Sequence, residues 1–347
     1  MSSKTNPGNF FEDFTVGQEL PHATPRTVTE GEVAMYTALY GGRFALQSAD
    51  QVAQDLGYPG APVDDWLTFH IVFGKTVPDV SLNAVANLGY AQGRFLAPVF
   101  PGDTLSATST VIGLKENSNG KTGTVYVNSV GRNQEGETVL DYCRWVMIRK
   151  RDENAPAPAP VVPDLPDRVD PETLVVPGVD LSAYDPRLIG QSHRFGDYQA
   201  GEKIDHVDGV TIEEAEHMMA TRLYQNTAKV HFNQHTEGEG RFGRRLIYGG
   251  HIISLARGLA FNGLAPAMWI AGINGGAHTA PAFAGDTIYA WSEVLETADI
   301  DGPLGALRLR TVACKNRNAS DFPHRGDDGR PAKDVILDLD YWALIAK

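Results

Sequence analysis

The sequence is poor in cysteine and in basic residues. Cys143 and Cys314 are the only cysteines among 347 residues, which is too few for a disulfide framework. Both lie in apolar, strand-like runs where a reduced, packed thiol is usual. Thirty Lys and Arg residues face 43 Asp and Glu residues, so the formal net charge is −13. Such a charge repels phosphate backbones and anionic lipids, which argues against nucleic-acid or membrane-surface binding.

Long apolar runs and cofactor motifs are missing as well. No uncharged apolar run reaches the roughly 18 residues of a membrane span. The opening MSSKTNPGNF has no apolar signal-peptide core, so a cytoplasmic protein is expected. The sequence has no Walker-type loop, no His-Glu-x-x-His and no Cys-x-x-Cys. His231 and His235 are four residues apart without a convincing third ligand, so neither a metal nor a cofactor is expected.

The chain contains one unit twice. Three segments of the first half return in the second half in the same order, which indicates a duplication. They are FEDFTVGQEL (11–20) and FGDYQAGEKI (195–204), APVFPGDT (97–104) and APAFAGDT (280–287), and VLDYCRWVMI (139–148) and ILDLDYWALI (336–345). The spacing grows from 184 to 197 residues, which places an extra surface loop at residues 316–331 of the second copy.

Proline separates the two copies. Five prolines between residues 156 and 166 alternate mostly with Ala and Val, a pattern that favours an extended polyproline linker. We therefore predict an N-terminal domain at 1–151, a Pro-rich linker and crossover at 152–188, and a C-terminal domain at 189–347.

The copies share one order of elements: a helix, a loop, a second and more apolar helix, and then strands. Apolar periodicity predicts helices at 29–40, 211–224 and 249–265. Val, Thr, Tyr and Trp content predicts strands at 103–114, 123–131, 138–150, 286–295, 307–314 and 335–346. The pattern predicts an α+β fold in which two curved antiparallel sheets each wrap around a central helix.

The copies differ where chemistry could occur. YGGRFALQ (40–47) aligns with YQNTAKVH (224–231), so Gly42 stands opposite Asn226 and Gln47 opposite His231. Eight of the ten histidines also follow the linker. We therefore predict that the C-terminal domain is catalytic and that the N-terminal domain is degenerate and non-catalytic.

Three motifs of the second copy resemble those of a known family. QNTAKVH, LIYGGHIISLARG and TAPAFAGDT correspond to the Gly-Asp-x-Asn-Pro-aliphatic-His loop, the helix start and the Pro-x-Phe-x-Gly-Asp strand entry of the MaoC-like, R-specific enoyl-CoA hydratases. The first copy offers GGRFALQ, APVDDWLTFHIVFG and LAPVFPGDT at the same places. The resemblance spans nearly all of the chain except the linker. It implies a tandem (double) hot-dog fold, a homodimer, and reversible hydration of an enoyl-CoA, with coenzyme A present only as part of the substrate. Extended likeness to one member implies a branched substrate with a second carboxylate.

The resemblance assigns acid–base catalysis to His231, because imidazole can take a proton from water and return it to carbon. Asn226 stands where the family has an aspartate, and an amide cannot act as a base. Two accounts are open: His231 works alone while Asn226 orients water, or a carboxylate comes from elsewhere. For the second account, Asp64, Asp65 and Glu237 are the candidates.

The remaining site residues surround the second helix. Gly249 and Gly250 open it, and their free N–H groups suit an oxyanion hole for the thioester oxygen. Tyr248 is a candidate to line the acyl pocket, and Asp65 to contact substrate from the first copy. The substrate carboxylate and the coenzyme A phosphates call for cations; the candidates are Lys229, Arg241, Arg244 and Arg245.

Two other functions are compatible with the fold. Hot-dog thioesterases usually activate water with an acidic residue near the central helix, and Asp64 and Asp65 stand at such a helix start. A non-catalytic acyl-CoA-binding protein is the third possibility. Retention of His231 in one copy and its loss in the other argue weakly against that third possibility.

Overall fold

The computed structural model describes residues 4–347. The N-terminal half contains five strands and four α-helices in the order of the predicted unit. They are β1 (Glu19–Thr27), α1 (Glu30–Tyr40), α2 (Ala45–Ser48), α3 (Asp50–Asp55), α4 (Asp65–Thr76), β2 (Ala84–Phe95), β3 (Thr104–Glu116), β4 (Thr122–Arg132) and β5 (Thr138–Arg149).

The C-terminal half repeats this arrangement. Its elements are α5 (Pro186–Ile189), β6 (Lys203–Thr211), α6 (Glu214–Leu223), α7 (Gln234–Gly238), α8 (Gly249–Leu264), β7 (Trp269–Ala277), β8 (Thr287–Ala298), β9 (Leu304–Lys315) and β10 (Val335–Ala346). The three predicted helices and six predicted strands all form, with ends within three residues of those expected. The predicted α+β class is confirmed.

The ten strands form one antiparallel sheet in the order β1-β3-β4-β5-β2-β7-β10-β9-β8-β6. The order of the second five strands mirrors that of the first five. The halves meet where β2 pairs with β7, with Tyr90 opposite Gly276 and Arg94 opposite Gly272. The two predicted sheets are therefore the two halves of one continuous sheet.

The strands at this junction, β2 and β7, are rich in glycine and were not predicted. A Cβ atom on Gly93 would lie 2.7 Å from the Cβ of Ile273, and one on Gly272 would lie 3.1 Å from the Gly93 carbonyl oxygen. Glycine weakens the local strand signal, but here it allows the two halves to approach closely. The glycines that the contact between β2 and β7 requires are therefore the same residues that weaken the strand pattern in the sequence.

Each half of the sheet packs on one central helix, α4 or α8, and residues of both helices share one hydrophobic core. Each helix also touches the turn that ends a helix of the other copy. A Cβ atom on Gly74 of α4 would lie 1.8 Å from the Tyr224 carbonyl oxygen, and one on Gly258 of α8 would lie 2.4 Å from the Tyr40 carbonyl oxygen. The two copies are therefore interlocked through their central helices.

The segment between the copies crosses the sheet. Residues 150–185 form one short 3-10 helix, Pro171–Thr173, and one isolated bridge, between Leu114 and Val161. The Val169 amide donates to Asn274 Oδ1 (2.8 Å), and the Trp342 indole donates to the Val169 carbonyl (3.0 Å). These bonds hold the linker against β7 and β10.

Three smaller expectations concern surface and core. Residues 316–331 form a loop that contains a single isolated bridge, between Arg325 and Pro331. Cys143 and Cys314 are buried free thiols. None of the helices within residues 4–347 has the length and apolar character needed to cross a bilayer.

Candidate active site

His231 ends a 3-10 helix, Lys229–His231, on the loop that leads to α8. Its Nδ1 lies 3.1 Å from the Leu246 carbonyl oxygen. A carbonyl oxygen only accepts, so Nδ1 carries the proton and Nε2 keeps its lone pair. Burial lowers the pKa of His231 to about 4, so the ring is neutral at pH 7. The arrangement presents an imidazole nitrogen that can accept a proton.

The start of α8 lies beside this ring. Tyr248 is the N-cap residue, and its ring centroid is 5.4 Å from that of His231. Among residues 4–347 no acceptor is bound to the amides of Gly249 and Gly250. Free amides at the positive end of a helix dipole stabilise developing negative charge. The structure thus brings together four of the candidate site residues: His231, Tyr248, Gly249 and Gly250.

Close packing around the start of α8 leaves no room for a side chain at Gly249 or Gly250. A Cβ atom on Gly249 would lie 2.4 Å from the His278 ring. One on Gly250 would lie 2.4 Å from the Tyr248 ring and 2.5 Å from the His70 ring. Any larger side chain would displace the aromatic groups that surround the helix start.

His217 of α6 fixes the helix start. Its Nε2 accepts a 2.9 Å hydrogen bond from the Tyr248 amide, so the ring is neutral with its proton on Nδ1. Burial, with His251 and His231 nearby, lowers the pKa of His217 to about 2. This neutral ring lies edge-on to His231, at 6.1 Å between centroids.

His278 follows β7 and brings the N-terminal half into the site. Its Nε2 lies 3.2 Å from the hydroxyl of Tyr90, which belongs to β2. Burial, with His231 nearby, lowers the pKa of His278 to about 4. The site is therefore built from both copies.

Asn226 is buried in the turn after α6. Its Oδ1 accepts a 3.0 Å hydrogen bond from the Ala228 amide, which uses one lone pair of the amide oxygen in the turn itself. The amide N–H groups of Asn226 are the part left for a ligand or water. Asn226 was expected to both accept from and donate to a water molecule. In this turn its side chain is available mainly as a donor.

The structure places Asp65, the candidate substrate contact from the first copy, away from His231. Asp65 begins α4 and accepts a 2.9 Å hydrogen bond from the Ile270 amide, while Asp64 caps the same helix by accepting from the Trp66 amide. Gly74, which touches the Tyr224–Asn226 turn, lies nine residues further along α4, or about 13 Å at 1.5 Å per residue. Both carboxylates are therefore at the far end of the helix from His231.

Those two carboxyl groups have unusual acidity. Burial, followed by the charge of Asp64, raises the pKa of Asp65 to about 7. Burial also raises the pKa of Asp64. Glu237, the third candidate, lies on α7 and forms no hydrogen bond or ion pair with His231. No carboxylate of residues 4–347 is bound to the His231 ring.

The predicted cations occupy two different environments. Arg245 forms a 2.7 Å ion pair with Glu214 and is nearly enclosed. Lys229, Arg241 and Arg244 are exposed around the loop that carries His231. Exposed cations suit the phosphates of a large ligand, whereas Arg245 is already paired.

Sequence reasoning missed three residues of this site: His217, His278 and Tyr90. His278 directly precedes the recognised TAPAFAGDT motif, which was a usable signal. Tyr90 comes from the copy that was expected to be degenerate. Its position in a strand carries no local sign of a site.

Residues 4–347 contain no group of three or more His, Cys, Asp or Glu side chains arranged to hold a metal ion.

The fold and this site together define a double hot-dog protein of the MaoC-like dehydratase class. A solved structure of a putative MaoC domain protein dehydratase from Chloroflexus aurantiacus matches with a TM-score of 0.98 and 64% identity, over 100% of this chain and 99% of that one. A conserved hypothetical protein from Mycobacterium tuberculosis, described as having a double hotdog fold, matches with a TM-score of 0.75 and 25% identity, over 97% and 98% of the two chains.

Sequence comparison narrows the class. The chain is 65% identical to a beta-methylmalyl-CoA dehydratase from Chloroflexus aurantiacus, over 100% of this chain and 99% of that protein. It is 61% identical to a mesaconyl-CoA hydratase from Cereibacter sphaeroides, over 99% of this chain and 100% of that protein. The family model for mesaconyl-CoA hydratase matches residues 2–323. The chain belongs to the mesaconyl-CoA hydratase family.

Proposed function

We propose that this protein catalyses the reversible hydration of mesaconyl-CoA to β-methylmalyl-CoA. Relatives at 65% and 61% identity bear the names of the two directions of that reaction. The observation that carries the proposal is the unprotonated Nε2 of His231 beside the free amides of the α8 start.

Hydration of an α,β-unsaturated thioester needs a base, an acid and donors for the thioester oxygen. Nε2 of His231 takes a proton from the water that attacks the β-carbon, and the resulting imidazolium returns a proton to the α-carbon. The amides of Gly249 and Gly250 hold the thioester oxygen as negative charge develops there. Asn226 orients the water through its N–H groups. No cofactor is used, and coenzyme A takes part only as a portion of the substrate.

The exposed cations Lys229, Arg241 and Arg244 serve the phosphates of coenzyme A in this proposal. The C-terminal domain (189–347) carries the acid–base chemistry, and the N-terminal domain (1–151) supplies lining residues such as Tyr90. The linker (152–188) joins them. This division refines the expectation of a wholly non-catalytic first copy.

The deciding experiment separates hydration from thioester hydrolysis. Purified protein is given mesaconyl-CoA without added metal or nucleotide, and enoyl absorbance and free thiol are followed together. We expect the absorbance to fall without thiol release, and chromatography to identify β-methylmalyl-CoA. Thiol release at the same rate would identify a thioesterase, and no change in either signal would favour a binding protein.

The cellular setting is a further part of the proposal. We infer a cytoplasmic homodimer that acts in acetate assimilation by the ethylmalonyl-CoA route, on the basis of the extended likeness of the chain to its family. Light scattering after gel filtration tests the dimer. Growth of a deletion strain on acetate tests the pathway, since loss of the enzyme should block growth on acetate but not on succinate.

A further inference from the structure

Arg144 of β5 is a cation inside the core without a counter-charge. Its side chain is fully buried, and no carboxylate of residues 4–347 lies within 4.0 Å of it. One guanidinium nitrogen donates to Thr76 Oγ1 at 2.6 Å and to Ser81 Oγ at 3.4 Å, but Nε and Nη1 have no partner. An unpaired buried charge is strongly unfavourable, so this residue is poorly explained by stability.

Two tyrosine hydroxyls near the guanidinium lack hydrogen-bond partners as well. The hydroxyls of Tyr142 and Tyr248 are buried and form no well-aligned hydrogen bond. Together with Tyr90 they are the titratable groups whose charge acts on Arg144. The two guanidinium nitrogens can only donate, whereas the tyrosine hydroxyls can donate or accept. A carboxylate of a bound ligand would give the guanidinium two acceptor oxygens and the counter-charge that it lacks.

The cluster adjoins the candidate active site. The Phe73 ring lies under the guanidinium, 4.2 Å from its central carbon to the ring centroid, and packs against the Tyr248 ring at 5.7 Å. Tyr248 in turn packs against His231 and caps the helix start. One residue thus touches both the acid–base group and the aromatic ring that supports Arg144.

We propose that the guanidinium of Arg144, together with the hydroxyl of Tyr248, binds the free carboxylate of a dicarboxylic enoyl thioester and selects that class of substrate. The inference deepens the proposed function and rests on it for the thioester site. In a butenedioyl thioester, three carbon–carbon bonds separate the carboxylate carbon from the thioester carbon, a span of roughly 4 Å. The carboxylate is attached to the carbon that receives water. Because the guanidinium neutralises the charge of that carboxylate, it also reduces the electrostatic repulsion of the attacking water as its oxygen becomes negative.

Arg257 of α8 provides the matched comparison. It is also buried with Nε and Nη1 unpaired. However, it donates to the Ala267 carbonyl at 2.7 Å, packs over Phe44 and lies within the field of the Asp64 carboxylate. Arg257 therefore has a local counter-charge at the far end of the central helices, whereas Arg144 has none.

The test uses ligands that cannot be hydrated. Succinyl-CoA and butyryl-CoA are saturated thioesters that differ in the presence of a terminal carboxylate, and calorimetry gives the ratio of their dissociation constants. We expect the wild-type protein to favour succinyl-CoA and Arg144→Met to lose about a hundredfold of that preference, the size typical of a lost buried ionic contact. Arg257→Met should keep the wild-type ratio.

Stability should not obscure the result, because an apolar residue of similar volume often replaces an unpaired buried charge without loss. Arg144→Lys is the second variant, and we expect it to lose about tenfold, since a lysine cannot form the bidentate contact. An unchanged ratio in either folded variant would overturn the proposal. If the preference for succinyl-CoA depends on Arg144 but the protein does not hydrate mesaconyl-CoA, only the proposed function is refuted.

Discussion

The hydroxyl of Tyr224 donates a 2.6 Å hydrogen bond to the hydroxyl of Tyr40, its counterpart in the other copy. The Tyr40 hydroxyl lies 2.8 Å from Nδ1 of His251. These hydrogen bonds connect both copies to a residue in the first turn of α8. The copy that has lost its own histidine thus supplies a hydrogen-bond partner at the helix start of the other copy.

The first prediction concerns the proposed base. His231→Gln should lower kcat by at least about a hundredfold, because the amide cannot shuttle a proton. Its far-UV circular dichroism and urea midpoint should stay near wild type, since the ring bonds only to the Leu246 carbonyl. His235→Gln is the control, because His235 is exposed four residues away. Near-native turnover of His231→Gln would remove this residue from the mechanism.

Asn226→Asp tests whether the amide is needed as it stands. We expect a loss of at least about tenfold in kcat at pH 7, because a carboxylate has no N–H groups to donate to water. The new charge would also favour protonated His231, so the acid limb of the kcat/KM profile should move to higher pH. Turnover equal to or above wild type would mean that a carboxylate serves this position equally well.

Gly249→Ala tests the helix start. The added methyl group would meet the His278 ring at 2.4 Å and disturb the amides that hold the thioester oxygen. We expect kcat to fall about a hundredfold, as for loss of one oxyanion donor. In Gly31→Ala, the nearest atom to the new methyl is 3.9 Å away, so this variant should keep full activity. Comparable activity of the two variants would contradict the oxyanion role.

The interlock of the two copies predicts a stability defect. In Gly74→Ala the new Cβ would lie 1.8 Å from the Tyr224 carbonyl oxygen, and backbone cannot yield as a flexible side chain does. We expect the free energy of unfolding to fall by about 3 kcal/mol or more, measured with urea. Gly196→Ala, with open space around its Cβ, should change it by less than about 1 kcal/mol. A native-like midpoint for Gly74→Ala would show that the two copies are not locked at this contact.

Local patterns predicted the parts of the molecule that local forces build. Apolar periodicity predicted α8, and the family resemblance singled out His231 and the glycine pair that the structure places near it. Contacts between the two copies produced no recognisable pattern in the sequence. Gly93 allows β2 and β7 to pair closely, but glycine has a low strand propensity. Arg144 has no distinguishing sequence context, and only its surroundings in the fold single it out. Asp65 was chosen for its motif position, which is equivalent to the start of α8, while the fold places it away from His231.

The last prediction concerns acid stability. His206 is fully buried between the Asn262 carbonyl and Ser292, and burial lowers its pKa to about 4. The unfolded chain binds a proton at a pKa of about 6.5 and the folded chain does not, so this group destabilises the fold as pH falls from about 6.5 towards 4. The Asp65 carboxyl acts in the opposite direction, since burial raises its pKa to about 7. The pH dependence of the free energy of unfolding therefore contains both the His206 and the Asp65 contributions. A substitution of His206 separates its contribution from the other.

His206→Gln removes this titration. We expect the variant to be less stable than wild type at pH 7.5, because it loses buried hydrogen bonds. Between pH 7.5 and 5.5 the wild type should lose about 1 kcal/mol through this histidine, and the variant should not. The gap between the two proteins in urea denaturation should therefore narrow by about that amount on acidification. A gap that widens instead would mean that folding favours the protonated ring.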